Sequence, residues 1–593
     1  MVYKIADNIL SPLGETTEQN YQAVKAGRSA LCRYSDHWQL PEPFSASLFS
    51  EAQWQALAAE GLTPFEALAT SSVRRALKDA AVDPARKGVV LIISTTKGNV
   101  DQLTQETTDD LSPGASARKM ARVLGFTTEP IVVCNACISG VSALLLAARL
   151  LEAGTYDVAV VCGADVQSRF VVSGFQSFHV VSSEACRPFD MERTGLSLGE
   201  AAATMILSRQ SQPQAWGIVT GAVRNDAFHI SSPAKDGEGA CQALRQVMQG
   251  VSPSQLAFIN AHGTATMFND QMESVAIERA GLSSVPVNGY KGYYGHTMGA
   301  AGVLETILSM AALDDHTILG TKGFEEAGVS GKIRLVASSE ATNKQSFVKI
   351  ISGFGGCNAA LLISRSEEYC SRSEECGVWS ENTPGADSAA NHISLHTPHS
   401  TLHEINPPLS TEGIRELSRV EITSEDELSA IRDYVKPLEA RRMGKLMKAS
   451  LLSSLKALEQ AGVTCPDAII TGTALGCWEN SEALLMQLEE EGEVMLKPTN
   501  FMQSTHNTIS SNIAIRLGCH GYNVTYTQCD RSLEWALRDA RLLLQSGRYK
   551  TVLVGCHDET TPLYRSLMER LGVTGLPSIH SIAIVLTCGE SFR

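Results

Sequence analysis

Apolar residues in the first 365 positions fall into short continuous runs that are separated by longer stretches with helical periodicity. The runs GVVLIIS (88–94), PIVVC (130–134) and DVAVVC (157–162) are rich in β-branched residues. Uninterrupted apolar runs of this length between helical stretches are typical of parallel strands that are buried on both faces. The pattern therefore predicts a layered α/β fold for this part of the chain.

The pattern stops at residues 366–403, where Ser, Glu, Asn, Gly and Pro replace most apolar residues. This composition is typical of a linker or a long surface excursion. We therefore divide the chain into a first unit at 1–365, a linker at 366–403 and a second unit at 404–593. With 593 residues, of which 44% are hydrophobic, the chain can bury more than one core.

The second unit repeats part of the first when the chain is compared with itself at an offset of 393 residues, which places Asp165 on Asp558. At this offset Cys137 falls on Asp530, whereas Cys529 falls opposite Ala136. A shift by one residue would align the two cysteines, but matching residues in the helix that follows disfavour it. The second unit is thus predicted to be a partial copy in which the cysteine is lost.

Charge and cysteine content exclude several classes of function. A net charge of -15 with a pI near 5.5 argues against a nucleic-acid-binding surface. The fifteen cysteines have no metal-type spacing and are expected to be mostly buried thiols of a reducing compartment. The N-terminus does not resemble a signal peptide, and no apolar run is long enough to span a membrane. We expect a cytoplasmic protein without a metal site.

Cys137 is the first candidate for chemistry, because it lies between the strand PIVVC and the apolar helix that begins near Ser139. The N-terminus of a helix favours a thiolate over a thiol, and its free N–H groups can bind the oxyanion of a thioester. For a single cysteine, a small buried core residue is the more common interpretation. The segments downstream favour the functional one.

Two histidines and a lysine occupy these downstream segments. His262 follows the apolar run LAFIN and is followed by a loop with Thr264 and Thr266, whose hydroxyls can hydrogen-bond a pantetheine arm. Lys291 and His296 flank the aromatic, glycine-containing turn of KGYYGH. Each segment alone is more often explained by packing, and the sequence has no GxxxxGK[ST] phosphate loop. A thiol nucleophile, two imidazoles and an ammonium together suit carbon–carbon bond formation from a malonyl thioester.

A further glycine turn, GFGG (353–356), separates two apolar runs. It is either a plain hairpin with left-handed glycines or a loop whose Phe354 N–H completes an oxyanion hole with the Cys137 N–H.

Taken together, these segments resemble the β-ketoacyl-acyl carrier protein synthases of the elongating class, which have a thiolase-type αβαβα fold. The resemblance covers nearly all of residues 1–365 and rests on short motifs. These contain two histidines, whereas the initiating and chalcone-type members of similar fold have a His/Asn pair. Those motifs are NACISG, RPFDMERTGLSLGEAAA, NAHGTATMFND, KGYYGHTMGAAG and GFGGCNAA. The sequence departs from the family pattern at Ser352, where phenylalanine is usual, and at Ala265, where glycine or serine is usual.

The resemblance implies a role for each matching residue. Cys137 would accept the acyl group, His262 and His296 would assist decarboxylation, and Lys291 would organise the charges of the site. Phe354 would be a gate beside the nucleophile. Thr264 and Thr266 would bind pantetheine, while Asp270 and Glu305 would support the site.

The second unit is similar to the chain-length factors that accompany ketosynthases of aryl-polyene biosynthesis, through FMQSTHNTISSNIAIRLGCHGYNVTYTQCD (501–530) and VLVGCHDE (552–559). Such subunits lack the nucleophile, in agreement with Asp530. The resemblance implies that the second unit pairs with the first as an intramolecular pseudo-dimer, with a homodimer as the other possibility.

The predicted function is that of a 3-oxoacyl-acyl carrier protein synthase, an acyltransferase, in polyene or specialised fatty acid or polyketide biosynthesis. Its partners would be an acyl carrier protein with malonyl and acyl thioesters. No cofactor is expected, because 4'-phosphopantetheine arrives on the carrier. An acidic carrier needs a basic docking patch, for which Arg118, Lys119 and Arg122 are candidates. The alternatives are a non-catalytic partner subunit and a plain acyltransferase or thioesterase.

Overall fold

A computed structural model describes residues 1–102, 107, 111–210, 214–365, 413–493 and 496–589. The predicted linker at 366–403 lies outside the described residues.

The first unit alternates strands and helices throughout. Its strands are β1 (Val2–Leu10), β2 (Cys32–Tyr34), β3 (Phe44–Ser47), β4 (Val89–Ser94), β5 (Ile131–Val133), β6 (Val158–Asp165), β7 (Leu198–Gly199), β8 (Ala201–Ser208), β9 (Trp216–Asn225), β10 (Phe258–Asn260), β11 (Pro286–Asn288), β12 (Thr317–Ile318), β13 (Arg334–Leu335), β14 (Glu340–Ala341), β15 (Ser346–Gly353) and β16 (Cys357–Arg365). Its α-helices are α1 (Thr17–Lys25), α2 (Glu51–Leu57), α3 (Pro64–Ala80), α4 (Pro113–Leu124), α5 (Ser139–Glu152), α6 (Arg169–Gln176), α7 (Glu238–Val247), α8 (Met267–Arg279), α9 (Lys291–Tyr294) and α10 (Ala301–Asp314).

The second unit has fewer elements. Its strands are β17 (Ile414–Ile422), β18 (Ala468–Gly472), β19 (Tyr522–Tyr526), β20 (Thr551–Glu559) and β21 (Ile579–Cys588). Its α-helices are α11 (Pro437–Arg442), α12 (Lys445–Ala461), α13 (Trp478–Glu490), α14 (Pro498–Gln503), α15 (Thr508–Leu517), α16 (Ser532–Gln545) and α17 (Pro562–Arg570).

Five layers build the first unit, and the apolar strands explain why. Along β4, Leu91 and Ile93 pack in one core with α3 and α4, whereas Ile92 packs in another core with α5 and α10. The helices α5 and α10 also pack on β15 and β16, whose opposite faces are covered by α7 and α8. Because the strands β4 and β6 are covered on both faces, their sequences are continuous apolar runs. The predicted layered αβαβα fold is confirmed.

One sheet runs through both units. In the described residues its strand order is β13-β11-β10-β15-β16-β9-β1-β8-β6-β4-β5-β19-β18-β20-β21-β17. The units join where β5 pairs antiparallel with β19, with Val133 opposite Tyr526. Outward from this joint, β19-β18-β20-β21-β17 repeats the order β5-β4-β6-β8-β1. The second unit therefore pairs with the first around a pseudo-two-fold axis.

The backbone fixes the register of the repeat at the nucleophile. Ala136 and Cys529 both have positive φ, 48° and 50°. The Ser139 hydroxyl accepts the N–H of Asn135 at 2.7 Å and donates to the Ala136 carbonyl at 2.5 Å. The Ser532 hydroxyl makes the same two bonds, at 2.9 Å and 2.8 Å, around Cys529. Cys529 is thus the structural counterpart of Ala136, which leaves Asp530 opposite Cys137.

The thirteen cysteines of the described residues are free thiols. Among the helices of that part of the chain, none combines the length and the apolarity that crossing a membrane requires.

Candidate active site

Cys137 lies in the turn between β5 and α5, as the sequence predicts. Its side chain is buried, and its sulfur lies 3.0 Å from Nε2 of His296. The backbone N–H of Phe354 hydrogen-bonds the same sulfur, from the turn between β15 and β16. The sulfur and the two N–H groups that the sequence assigned to an oxyanion hole are therefore together.

Both histidines lie beside this sulfur. The Cys137 sulfur and one ring nitrogen each of His262 and His296 are all within 4.8 Å of one another. The two imidazole rings are nearly perpendicular, at 82°, with centroids 5.1 Å apart. Residues that are 125 and 159 positions from Cys137 along the chain thus form one cluster.

Backbone contacts hold each histidine in place. The N–H of His262 and the N–H of Gly263 donate to the carboxylate of Glu273 on α8, at 2.5 Å and 2.9 Å. The N–H of His296 donates to the Ser197 carbonyl at 2.7 Å. The N–H of Met298 donates to Nδ1 of His296 at 3.3 Å, so the proton of the neutral imidazole lies on Nε2. His296 therefore presents an N–H donor at the sulfur.

Burial keeps both imidazoles neutral. It lowers the pKa of His262 and of His296 well below the usual value, and the nearby ammonium groups of Lys291 and Lys349 lower both further. A neutral imidazole suits a site where negative charge develops on a substrate oxygen, because it donates a hydrogen bond without first needing a proton.

Lys291 acts in this site as part of a buried charge cluster. Its ammonium lies 2.8 Å from one carboxylate oxygen of Glu305, and the ammonium of Lys349 contacts the other. Although burial raises the pKa of Glu305, the two lysines hold it below its usual value. Lys349 was not among the predicted residues, although a lysine within the apolar strand SFVKIISG was a visible signal.

The prediction of a helix-stabilised thiolate is wrong. Burial raises the pKa of Cys137 to about 12, despite the lowering effects of Lys291 and of the Phe354 N–H. The desolvation of a buried thiolate outweighs the partial charge of the helix N-terminus. The resting side chain is a thiol. It is therefore a poor metal ligand, although the Cys137, His262 and His296 atoms are close enough to contact one ion.

The loop around Thr264 has an internal structure of its own. The hydroxyls of Thr264 and Thr266 hydrogen-bond each other at 2.9 Å. Asp270 accepts the N–H groups of Thr264 and Ala265 at 2.9 Å and 3.1 Å, and that of Phe189 at 2.6 Å. Asp270 thus holds a turn in which Ala265 has a φ of 62°. Pantetheine binding by the two threonines stays a prediction.

Residues of the second unit contact the turn that carries Phe354. The Asn507 side-chain amide donates to the Phe354 carbonyl at 2.8 Å, and Ser511 on α15 packs against Gly355. The Phe354 ring stacks on Phe175 at 5.7 Å, which in turn contacts Phe501 of α14 at 5.1 Å. The second unit therefore forms one wall of the site.

The counterpart of the nucleophile in the second unit has different surroundings. The Asp530 carboxylate accepts a hydrogen bond from Arg118 at 2.7 Å and is partly exposed. Arg118 also pairs with Glu129, and Lys119 pairs with Glu66. Two of the three proposed docking cations are therefore engaged by acidic side chains, which weakens their assignment to carrier binding.

Comparison with known families covers both units of the chain. The model of the beta-ketoacyl synthase N-terminal domain matches residues 5–213 and 399–574, and the model of its C-terminal domain matches residues 217–325. The 3-oxoacyl-[acyl-carrier-protein] synthase 2 of Rhizobium meliloti is 33% identical over 255 residues, which are 39% of this chain and 60% of that protein. The synthase 2 of Vibrio cholerae is 28% identical over 406 residues, 60% of this chain and 97% of that protein.

Solved structures extend the similarity to both units. A structure described as PfaC keto synthase-chain length factor superimposes with a TM-score of 0.73 over 99% of this chain and 78% of that one, at 14% identity. The ketosynthase ApeO in complex with its chain length factor ApeC from Xenorhabdus doucetiae is 26% identical, with a TM-score of 0.52 over 62% of this chain and 98% of that one. The chain belongs to the beta-ketoacyl synthase family and is an acyltransferase of that type.

Proposed function

We propose that this chain is a 3-oxoacyl-acyl carrier protein synthase that condenses an acyl group on Cys137 with malonyl-acyl carrier protein. The observation that carries the proposal is the cluster of the Cys137 sulfur, His262 and His296 within 4.8 Å. A plain acyltransferase or thioesterase needs the thiol but has no use for two neutral imidazoles and a buried ammonium beside it.

In the first half-reaction the Cys137 sulfur attacks the carbonyl of an acyl thioester on the carrier protein. The thiol proton ends on the pantetheine sulfur that leaves, so the step is neutral overall. The N–H groups of Cys137 and Phe354, both of which hydrogen-bond the resting sulfur, are the donors for the negative oxygen of the tetrahedral intermediate in this proposal. Burial of the thiol makes this step the more demanding one, because the sulfur must lose its proton during attack.

In the second half-reaction malonyl-acyl carrier protein loses carbon dioxide. The electron pair of the broken carbon–carbon bond passes into an enolate whose oxygen accepts hydrogen bonds from His262 and from Nε2–H of His296. The enolate carbon attacks the Cys137 thioester, the carbon–sulfur bond breaks, and the Cys137 thiolate that is released takes up one proton from water. The product is a 3-oxoacyl thioester, longer by two carbons.

We also propose that the second unit replaces the partner subunit of a dimer. Three contacts at the joint support this role. Cys134 N–H donates to the Thr525 carbonyl at 3.1 Å, Asn135 donates to the Asn523 carbonyl at 3.0 Å, and Asn507 contacts the Phe354 turn. Cys134 and Asn135 immediately precede the turn that carries Cys137, so the joint supports the site directly.

The acyl substrate belongs to polyene or related specialised fatty acid or polyketide biosynthesis in this proposal. Its support is the similarity to the ApeO–ApeC ketosynthase and chain length factor, together with the aromatic row of Phe354, Phe175 and Phe501 that crosses the joint. Flat, rigid unsaturated chains pack well against such rings.

The second candidate is a partner subunit that binds or transfers acyl groups without condensing them. Burial raises the pKa of the Cys137 thiol, which favours the form of this candidate that only binds acyl groups, because a protonated thiol is a weak nucleophile.

Mass spectrometry of the full chain separates the two candidates. After incubation with a panel of acyl carrier proteins, a synthase carries the acyl mass on Cys137, and malonyl-acyl carrier protein then discharges it with release of carbon dioxide. His262→Ala and His296→Ala variants are expected to retain acylation but lose carbon dioxide release. Acylation without discharge in the unaltered chain would support the second candidate, and normal condensation in both variants would overturn the proposed roles.

A further inference from the structure

Lys349 is a buried lysine in the middle of the apolar strand β15. Its side chain is fully buried, and its ammonium contacts Glu305 and donates to the Ala261 carbonyl at 3.2 Å. Ala261 immediately precedes His262. The lysine is therefore next to the decarboxylation site, although it is distant from it in the sequence.

The charges around Lys349 do not cancel. The single carboxylate of Glu305 on α10 faces two ammonium groups, those of Lys291 and Lys349. Among the residues that the structure describes, the other carboxylate that acts on Lys349 is that of Glu273 on α8, and burial raises its pKa, which weakens its negative charge. Burial also lowers the pKa of Lys349, to about 8, which leaves its ammonium mostly protonated at neutral pH. An excess of positive charge therefore lies next to the imidazoles of His262 and His296.

Such an excess affects both the resting site and the reaction. Burial of an ammonium without full compensation is costly, so a positive charge here must be offset by the rest of the fold. The same charge disfavours protonation of the two imidazoles and attracts the negative oxygen that forms when malonate loses carbon dioxide.

We infer that Lys349 is a positioning residue that, with Lys291 and through Glu305, keeps His262 and His296 neutral and in place for decarboxylation. This inference rests on the proposed function. It assigns to the lysine an electrostatic role that a spacer of equal length cannot fill.

The test is the pH dependence of carbon dioxide release from malonyl-acyl carrier protein by the full chain. In Lys349→Met the rate at low pH is expected to fall more than the rate at high pH. The pH at which the rate is half of its maximum, on the acidic side of the profile, is expected to rise by about one unit. Lys349→Arg is expected to restore the original profile in part. Lys344→Met is the matched control, because the Lys344 ammonium donates to a backbone carbonyl, that of Leu256, at 2.9 Å, and has no carboxylate partner among the described residues.

A uniform loss of rate at every pH in Lys349→Met, or no change at all, would overturn the inference. If the unaltered chain releases no carbon dioxide at any pH, the proposed function fails instead. Where Lys349→Met does not fold, ¹³C spectra of the histidine side chains are compared between the unaltered chain and Lys349→Gln. In the unaltered chain His262 and His296 are expected to stay neutral down to pH 5, and in Lys349→Gln they are expected to protonate at a higher pH. Identical titration of both histidines in the two proteins would contradict the inference.

Discussion

The side-chain amide of Asn507 donates a 2.8 Å hydrogen bond to the carbonyl of Phe354, across the boundary between the two units. Because the Phe354 N–H contacts the Cys137 sulfur, this bond connects the second unit to the nucleophile through one residue, Phe354.

Asn507→Ala is expected to slow acylation of Cys137 about fivefold, since the loss of one buried hydrogen bond costs about 1 kcal/mol. Rapid-quench mass spectrometry of the Cys137 thioester measures this rate. Asn512→Ala is the control, because the Asn512 amide donates to the Thr508 carbonyl within the same helix. Equal rates in the unaltered chain and in Asn507→Ala would contradict the role of the second unit in holding the turn.

The reactivity of Cys137 is expected to rise with pH without a plateau below pH 9.5. The pKa of Cys137 is about 12, and below that value the thiolate fraction increases tenfold per pH unit. Alkylation of Cys137 by iodoacetamide, followed by peptide mass spectrometry, gives the profile, with Cys137→Ala as the background. A plateau that begins near pH 8 would indicate that the site stabilises the thiolate after all.

Asp530→Cys is not expected to create a second acylation site. Residue 530 is partly exposed beside Arg118, whereas Cys137 is buried with its sulfur next to His262 and His296. Intact-protein mass spectrometry should give one acyl group per chain in this variant and none when Cys137→Ala is added. Cys529→Ala is the control and should retain normal acylation. Two acyl groups per chain in Asp530→Cys would show that residue 530 can serve as a second acylation site.

The buried ion pair between Arg149 and Asp539 is expected to stabilise the joint between the units. Its atoms are 2.8 Å apart, and the Asp539 side chain is fully buried. Asp539→Ala leaves the Arg149 guanidinium without its carboxylate partner, so the free energy of unfolding should fall by about 3 kcal/mol. Asp157→Ala removes the partner of Arg86 in an exposed pair and should cost less than about 1 kcal/mol. Urea denaturation of both variants measures the difference, and equal midpoints would contradict it.

Light scattering is expected to give the mass of one chain, 63.6 kDa. The edge of β5 that a second copy would pair with is already covered by β19. A mass of twice this value would show that copies associate through another surface.

The sequence was sufficient for the fold class and for the members of the central cluster. Strands buried on both faces leave continuous apolar runs, and the offset of 393 residues already places Asp530 opposite Cys137. Both signals can be found in the sequence alone, the first from runs of neighbouring residues and the second from a comparison of the chain with itself.

Two features of the site depended on contacts that local patterns do not contain. The protonation state of Cys137 follows from its burial, which outweighs the helix N-terminus that the sequence made visible. The role of Lys349 depends on its contact with Glu305, which lies 44 positions away on a different element.

The sequence by itself determined the layered α/β fold, the cluster of Cys137 with two histidines, and the loss of the nucleophile in the second unit. Only the tertiary structure decided that β5 pairs with β19, that Asn507 supports the Phe354 turn, and that two lysines share one glutamate. The physical reason is that periodicity and motifs describe neighbours along the chain. Desolvation and charge pairing are set instead by residues that folding brings together from distant positions.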